Sequence, residues 1–335
     1  MKKIGSLCLI LFLLTAGLLF ASGGAEKGAE TKPVVLKFAD NAADGHPSIL
    51  ADTYFAELVE KRTNGRIKVT VYHSGQLGDE KSTIEQVSFG GIDLVRTSLS
   101  PLTQFNSELN ALMLPFLYSS REHYFKVIDG EIGDYFRSSL KDKDLYGICW
   151  YETGSRGFYN SKRPIRKVAD MKGLKIRVQQ SEMMIALVEA LGASPTPMSF
   201  GEVYNALQTG VIDGAENNWP SYDATGHYEV AKYYTRDDHN RIPEIVLINL
   251  KRFESFSKED QGIIMQAAAE AAKAQQKFWG ERVEASKKKV MAAGNEVIEL
   301  TPVEKAEFQK AVMPLYEKFA SDHMDIVKKI LAAAK

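Results

Sequence analysis

The chain has 335 residues, 42 of them basic and 43 acidic, which leaves a net charge of −1 at neutral pH. No basic stripe or acidic tail stands out, so nucleic acid is excluded as a partner class. The two cysteines, Cys8 and Cys149, are too few for a disulfide framework or a thiolate metal site.

The chain opens with Lys2 and Lys3, then an apolar run from Ile4 to Phe20 without a charged residue. The small residues Ala21, Ser22, Gly23 and Gly24 follow. This layout predicts a secretory signal peptide over residues 1–25, cut around Ala21 to Ala25, and hence a periplasmic protein. Cys8 lies too early to accept a lipid. No later stretch has the ~18 uninterrupted apolar residues of a membrane span. Cleavage leaves Cys149 as the single cysteine; its neighbours Ile148, Trp150 and Tyr151 mark it as a core thiol. Without a disulfide the fold rests on burial, which about 310 residues can supply.

Residues 26–32 read as a short leader, and Val34 to Phe38 as a strand. His46-Pro47-Ser48 introduces a helix with Leu50, Ala51, Tyr54, Phe55, Leu58 and Val59 on one face, ended by Asn64-Gly65. Ile67, Val69 and Val71 alternate as a second strand. A helix from Glu80 to Phe89 leads into a predicted third strand over Gly90 to Val95. One helix is expected around residues 121–138 and a strand over Leu145 to Tyr151. Strands alternating with helices predict a largely parallel, twice-covered sheet.

The pattern then restarts. Leu174 to Val178 is a strand, and Ser181 is placed to cap a helix running to Leu191. Ser199 and Glu202 form a capping box for a helix that Gly210 ends, and Val211 to Gly214 follows as a strand. The stretch Glu85 to Asp93 resembles Asn205 to Asp213, each passing from a helix through glycine to Ile-Asp. Ser257 then begins a helical pattern unbroken until Gly294, a rod of roughly 50 Å that is longer than one lobe is wide. Thr301-Pro302-Val303-Glu304 caps a further helix, interrupted at Pro314.

No phosphate loop, G-x-S-x-G, H-E-x-x-H or paired cysteines occur, and the six histidines never pair at metal-ligand spacing. What remains are polar residues at strand ends, where open α/β sheets bind ligands. These are Asn41, Glu80, Arg96, Thr97 and Ser98 in the first half, and Arg156, Arg177, Asn217, Asn218 and Trp219 in the second. Each also has a plainer role open to it: Glu80 at a helix start, Arg177 in a surface ion pair, Asn217 in a turn. Two arginines and an asparagine at strand ends point to an anion site, because guanidinium matches carboxylate as a planar fork.

Ser74 to Glu80, Gly173 to Val178 and Gly210 to Asn217, taken in this order and spacing, resemble the solute-binding proteins of tripartite ATP-independent periplasmic (TRAP) transporters. The resemblance covers essentially all of the chain beyond the signal. It implies an α/β, two-lobed periplasmic binding protein fold with hinge strands and a long lobe-spanning helix. Lobe I would take residues 32–152 plus about 243–282, and lobe II residues 153–242 plus about 283–335. The chain would cross between them near residues 153 and 242. The resemblance also implies that Arg177 pairs with a ligand carboxylate beside Arg156 and Asn217, while Asn41, Glu80 and Ser98 select the rest of the ligand.

The predicted function is therefore a non-enzymatic, monomeric solute-binding protein without metal or cofactor, delivering a small organic acid to TRAP permease subunits. Glu80 opposite an arginine pair favours a ligand with hydroxyls as well as a carboxylate. A hexuronate such as D-glucuronate or D-galacturonate fits, with Arg96, His46, Trp219 and Tyr222 as further ligand-binding candidates; for the two aromatics, stacking on a sugar ring and packing in the core are equally open. A sialic acid, a C4-dicarboxylate, or a secreted hydrolase or lyase on the same lobes are the alternatives; the missing acid-base and metal sets argue against the enzyme.

Overall fold

The computed structural model describes residues 32–334; the predicted signal peptide lies outside them. Among the described residues eleven strands form two sheets. The first, in the order β2-β1-β3-β10-β4, contains β1 (Val34–Ala39), β2 (Ile67–Tyr72), β3 (Leu94–Ser98), β4 (Leu145–Tyr151) and β10 (Glu244–Asn249). The second, in the order β11-β9-β5-β8-β6-β7, contains β5 (Arg156–Asn160), β6 (Lys175–Val178), β7 (Ser194–Pro197), β8 (Gly214–Asn217), β9 (Tyr233–Asn240) and β11 (Glu296–Glu299).

The parallel arrangement expected from the alternating pattern is broken once in each sheet. β10 is antiparallel to β3 and β4, and β5 is antiparallel to β8 and β9. The cause is connectivity. Each of these strands is entered from the other sheet, at residues 152–155 and 241–243, without the crossover helix that would return the chain to the same direction.

Two strand starts differ from expectation for a shared reason. Gly90 and Gly210 both have positive φ and close the preceding helix, so β3 begins at Leu94 and β8 at Gly214. The sequence echo around them is a structural repeat. Asp93 donates its N–H to the Lys37 carbonyl at 3.2 Å and accepts the Lys37 N–H on Oδ2 at 2.9 Å. Asp213 does the same with Lys175, at 2.8 and 2.9 Å. In each sheet an aspartate just before one strand bonds both backbone groups of a lysine in the neighbouring strand.

Other elements refine the sequence reading. The helix Pro47–Arg62 buries Ala51, Phe55 and Val59, but Leu50 stays 44% exposed. The helix expected around residues 121–138 is two, Arg121–Ile128 and Glu131–Ser138, packed so closely that a Cβ at Gly133 would overlap the Ile128 carbonyl. Ser181 stands at the N-terminus of Glu182–Ala190, but its side chain makes no capping bond. The boxes Ser199/Glu202 and Thr301/Glu304 are both formed.

The long helix is Lys258–Ala292, 35 residues. Ile264, Ala267, Ala268 and Ala271 on it pack against one face of the first sheet, and Val290 joins the core of the second. Between these contacts, buried Gln275 donates to the Glu152 carbonyl at 2.8 Å and accepts the Glu152 N–H at 3.0 Å. Thr153 donates to the Ile242 carbonyl at 2.6 Å, tying the two crossings together. The C-terminal helices contact both halves of the core, with Tyr316 donating to the Pro115 carbonyl and Phe308 packed in the cluster that includes Ile176 and Leu187. Cys149 is buried in the first sheet and burial pushes its thiol pKa up, which leaves it unreactive.

Candidate ligand-binding site

The sheets turn polar strand ends toward one cleft. β1 runs on into Asn41, and the first turn of the helix after β2 supplies Glu80. β6 ends next to Gln179, and β8 ends at Asn217. Because β5 and β10 run in reverse, they present their first residues, Arg156 and Glu244, to the same cleft.

On the second-sheet wall the two arginines differ in kind. Arg156 is 3% exposed and grips Glu216 through Nε and Nη2, with Nη2 also donating to the Glu216 carbonyl at 3.0 Å. Glu216 in turn faces His239 Nε2 at 3.5 Å, and His239 Nδ1 meets Asp237 Oδ2 at 2.9 Å. Burial disfavours both charges here. Arg156 and His239 nevertheless hold Glu216 at about 2, and Asp237 and Glu216 lift His239 to about 9. Arg156 is thus neutralised in place. Arg177 is 2% exposed and donates from Nε and Nη2 to the Met198 carbonyl, at 3.1 and 2.8 Å. Among the described residues no carboxylate lies within 4 Å of it, and burial lowers its pKa. The Phe200 ring lies 5.8 Å from its guanidinium carbon. Asn217, beside them, turns its Oδ1 to the Asn218 N–H at 2.9 Å.

The first-sheet wall is acidic. Arg96 donates to both oxygens of Asp40 and to Asn41 Oδ1 at 2.9 Å, and its Nη1 lies 3.0 Å from Glu244 and 3.9 Å from Glu80. Burial opposes its charge, but Asp40 and Glu244 raise its pKa well above the usual value. Glu80 accepts the Ser98 N–H at 2.9 Å, which ties the helix Glu80–Phe89 to the end of β3. Burial pushes Glu244 up to about 7 against the pull of Arg96, with Glu80 and Asp40 adding to the rise. His46 also lines the cleft; burial, then Arg96, hold its ring neutral with a pKa of about 3.

Of the sequence candidates, Asn41, His46, Glu80, Arg96, Arg156, Arg177 and Asn217 share the cleft. Ser98 is buried behind it, its hydroxyl 3.5 Å from Gln179 Oε1 and 3.3 Å from the Ser100 N–H. Trp219 and Tyr222 do not line it. Trp219 stacks on Tyr234 with ring centroids 4.0 Å apart, and Tyr222 is fully buried, its hydroxyl shared between the Ala231 carbonyl and Asn295. Their large apolar surface is spent in the core of the second sheet. Sequence reasoning passed over Gln179, Phe200 and Glu244, which line the cleft, and Asp40, which sets the charge of Arg96.

Two α/β halves, each ending in polar strand tips at a common cleft and joined by two short crossings and one shared helix, define a two-lobed ligand-binding protein. The chain belongs to the DctP family, bacterial extracellular solute-binding protein family 7, whose family model matches residues 38–322. It is a solute-binding protein of the TRAP type, in a family of binding proteins and not of enzymes. A solute-binding protein of Chromohalobacter salexigens is 38% identical over 281 residues, 84% of this chain and 83% of that protein. The crystal structure of a TRAP periplasmic solute-binding protein from Bradyrhizobium sp. in complex with α/β-D-galacturonate is 40% identical, with a TM-score of 0.86 over 89% of this chain and 99% of that one. A Roseobacter denitrificans counterpart with bound β-D-glucuronate is 38% identical, with a TM-score of 0.86 over the same shares.

Proposed function

We propose that the chain captures a hexuronate, D-glucuronate or D-galacturonate, between two lobes divided near residues 153 and 242, and delivers it as a monomer from the periplasm to TRAP permease subunits. The observation that carries the reading is Arg177, a buried guanidinium with no carboxylate beside it among the described residues. Such a charge is costly to bury alone, and an incoming carboxylate supplies the missing partner as a fork-to-fork contact. Arg156 and Asn217 flank the same position. The opposite wall carries Asp40, Glu80 and Glu244 around a single Arg96. A second ligand carboxylate would be repelled there, whereas neutral hydroxyls find acceptors. Polarity of this kind suits a molecule with one acidic end and a hydroxylated ring, and the uronates bound by structures 38–40% identical have that form.

A thermal-shift screen against a sugar-acid panel tests the reading. A ligand at ~100 Kd adds about 2.7 kcal/mol to the folded state. The two hexuronates are expected to raise the melting temperature by several degrees, and succinate to leave it unchanged. A shift with succinate and none with either uronate would overturn the assignment.

A further inference from the structure

Resting on that reading of the cleft, we propose that Glu244 and His46 are specificity-determining residues for the sugar ring, His46 Nε2 donating to a ring hydroxyl and Glu244 accepting from one. Glu244 heads β10 as Arg156 heads β5; each is the first residue of the strand entered from the other sheet, and each lines the cleft. The two have opposite charge and opposite occupancy. Arg156 spends its donors on Glu216. Glu244 Oε2 is buried without a hydrogen-bond partner, since Arg96 Nη1, though 3.0 Å away, is not aligned to donate to it. Ion pairing therefore holds the carboxylate in place while leaving an acceptor unused.

His46 supplies the complementary donor. It is the N-cap of the helix Pro47–Arg62, and its Nδ1 accepts the Ser48 N–H at 3.2 Å. That bond requires an unprotonated Nδ1, so the neutral ring carries its hydrogen on Nε2. This nitrogen too is buried without a partner, on a side chain only 6% exposed. The ring is held in place edge-on against Trp279, with centroids 5.7 Å apart. A buried donor and a buried acceptor left open in one cleft each carry a desolvation cost that a ligand can relieve. Hydroxyls both donate and accept, so a polyhydroxylated ring satisfies the two together. A carboxylate could accept from His46 but would be repelled by Glu244.

Calorimetric titration of D-glucuronate into the wild type, Glu244→Gln and His46→Asn tests the assignment. Asn retains a capping acceptor for the Ser48 N–H while withdrawing the reach of Nε2, and unliganded melting curves verify that each variant folds. Each substitution is expected to weaken glucuronate about tenfold or more. The groups facing Glu244 are Arg96, Glu80, Asp40 and Arg156, and burial pushes Glu244 itself up to about 7. A hydroxyl bonds more strongly to an ionised acceptor, so wild-type affinity should rise severalfold from pH 6 to 8 and the rise should vanish in Glu244→Gln. A residue that served only to balance Arg96 would leave that pH profile in place. Glucuronate affinity within twofold of wild type in either variant, or an unchanged pH profile in Glu244→Gln, overturns the inference. Failure of the wild type to bind any hexuronate would instead overturn the ligand class proposed above.

Discussion

Arg177 places both Nε and Nη2 on the single carbonyl oxygen of Met198, so the backbone that leads from β7 toward Phe200 sets the orientation of the guanidinium before any ligand arrives. The fork is fixed on one side and its charge is left unbalanced on the other. That preorganisation lowers the ordering cost of binding. It also separates Arg177 from Arg156, whose charge Glu216 already satisfies.

The acidic wall makes a prediction at Glu80. Its Oε1 accepts the Ser98 N–H, so the carboxylate has a structural task as well as a position in the cleft. Glu80→Gln should weaken a uronate about ten- to a hundredfold, the loss of a charged acceptor for a hydroxyl. A small dicarboxylate should bind the variant more tightly, because a like charge is gone. Titrations of both ligands against both proteins check this; tighter uronate binding by the variant would count against the assignment of the acidic wall to hydroxyls.

Stability should depend on pH through His239. Its folded pKa of about 9 lies above the ordinary 6.5, so the folded state binds the extra proton. The resulting stabilisation is fully present below pH 6.5 and is lost as pH rises to about 9. The total is on the order of 3 kcal/mol, and wild-type melting temperatures should fall across that window. His239→Gln should flatten the decline. An equal slope in wild type and variant would assign the pH response elsewhere.

Gln275 on the long helix satisfies both backbone groups of Glu152, where the chain leaves the first sheet. Gln275→Met keeps the volume and strips both partners, at about 2 kcal/mol or more. Denaturant unfolding should register that loss in full. A change of a few tenths of a kcal/mol would mean that the crossing is held by other contacts.

If the two halves close on the ligand, the short crossings at 152–155 and 241–243 and the shared helix are where rotation is absorbed. Small-angle scattering should give a smaller radius of gyration with saturating uronate than without. An unchanged radius with binding verified would mean a cleft already closed.

Much of this was legible in the sequence because the chemistry sits where α/β sheets concentrate it. Arg177, Asn41 and Asn217 could be picked out as polar residues at the ends of apolar strands. Glu244 could not, because no strand was assigned where β10 lies and its first residue therefore carried no strand-end signal. Only the reversal of β10, a consequence of its entry from the other sheet, turns that start into the cleft. The strand limits at Leu94 and Gly214 were misjudged because Gly-X-Ile-Asp reads as apolar and extended, while the structure uses its aspartate to bond a neighbouring strand. Trp219 and Tyr222 lie within four residues of Asn218 in sequence, but the helix Trp219–Ala224 rotates them into the core. Periodicity over six residues is too short to fix that rotation in advance.

The most direct measurement is calorimetric titration of D-glucuronate and D-galacturonate into the wild-type protein and Arg177→Lys. Lysine keeps the charge and loses the fork, at about 2–5 kcal/mol. The account predicts saturable one-site binding of at least one uronate by the wild type. In the variant, with its melting temperature preserved, affinity should fall by a factor on the order of thirty to several thousand. Wild-type affinity in Arg177→Lys, or no binding of either uronate by the wild type, would contradict it.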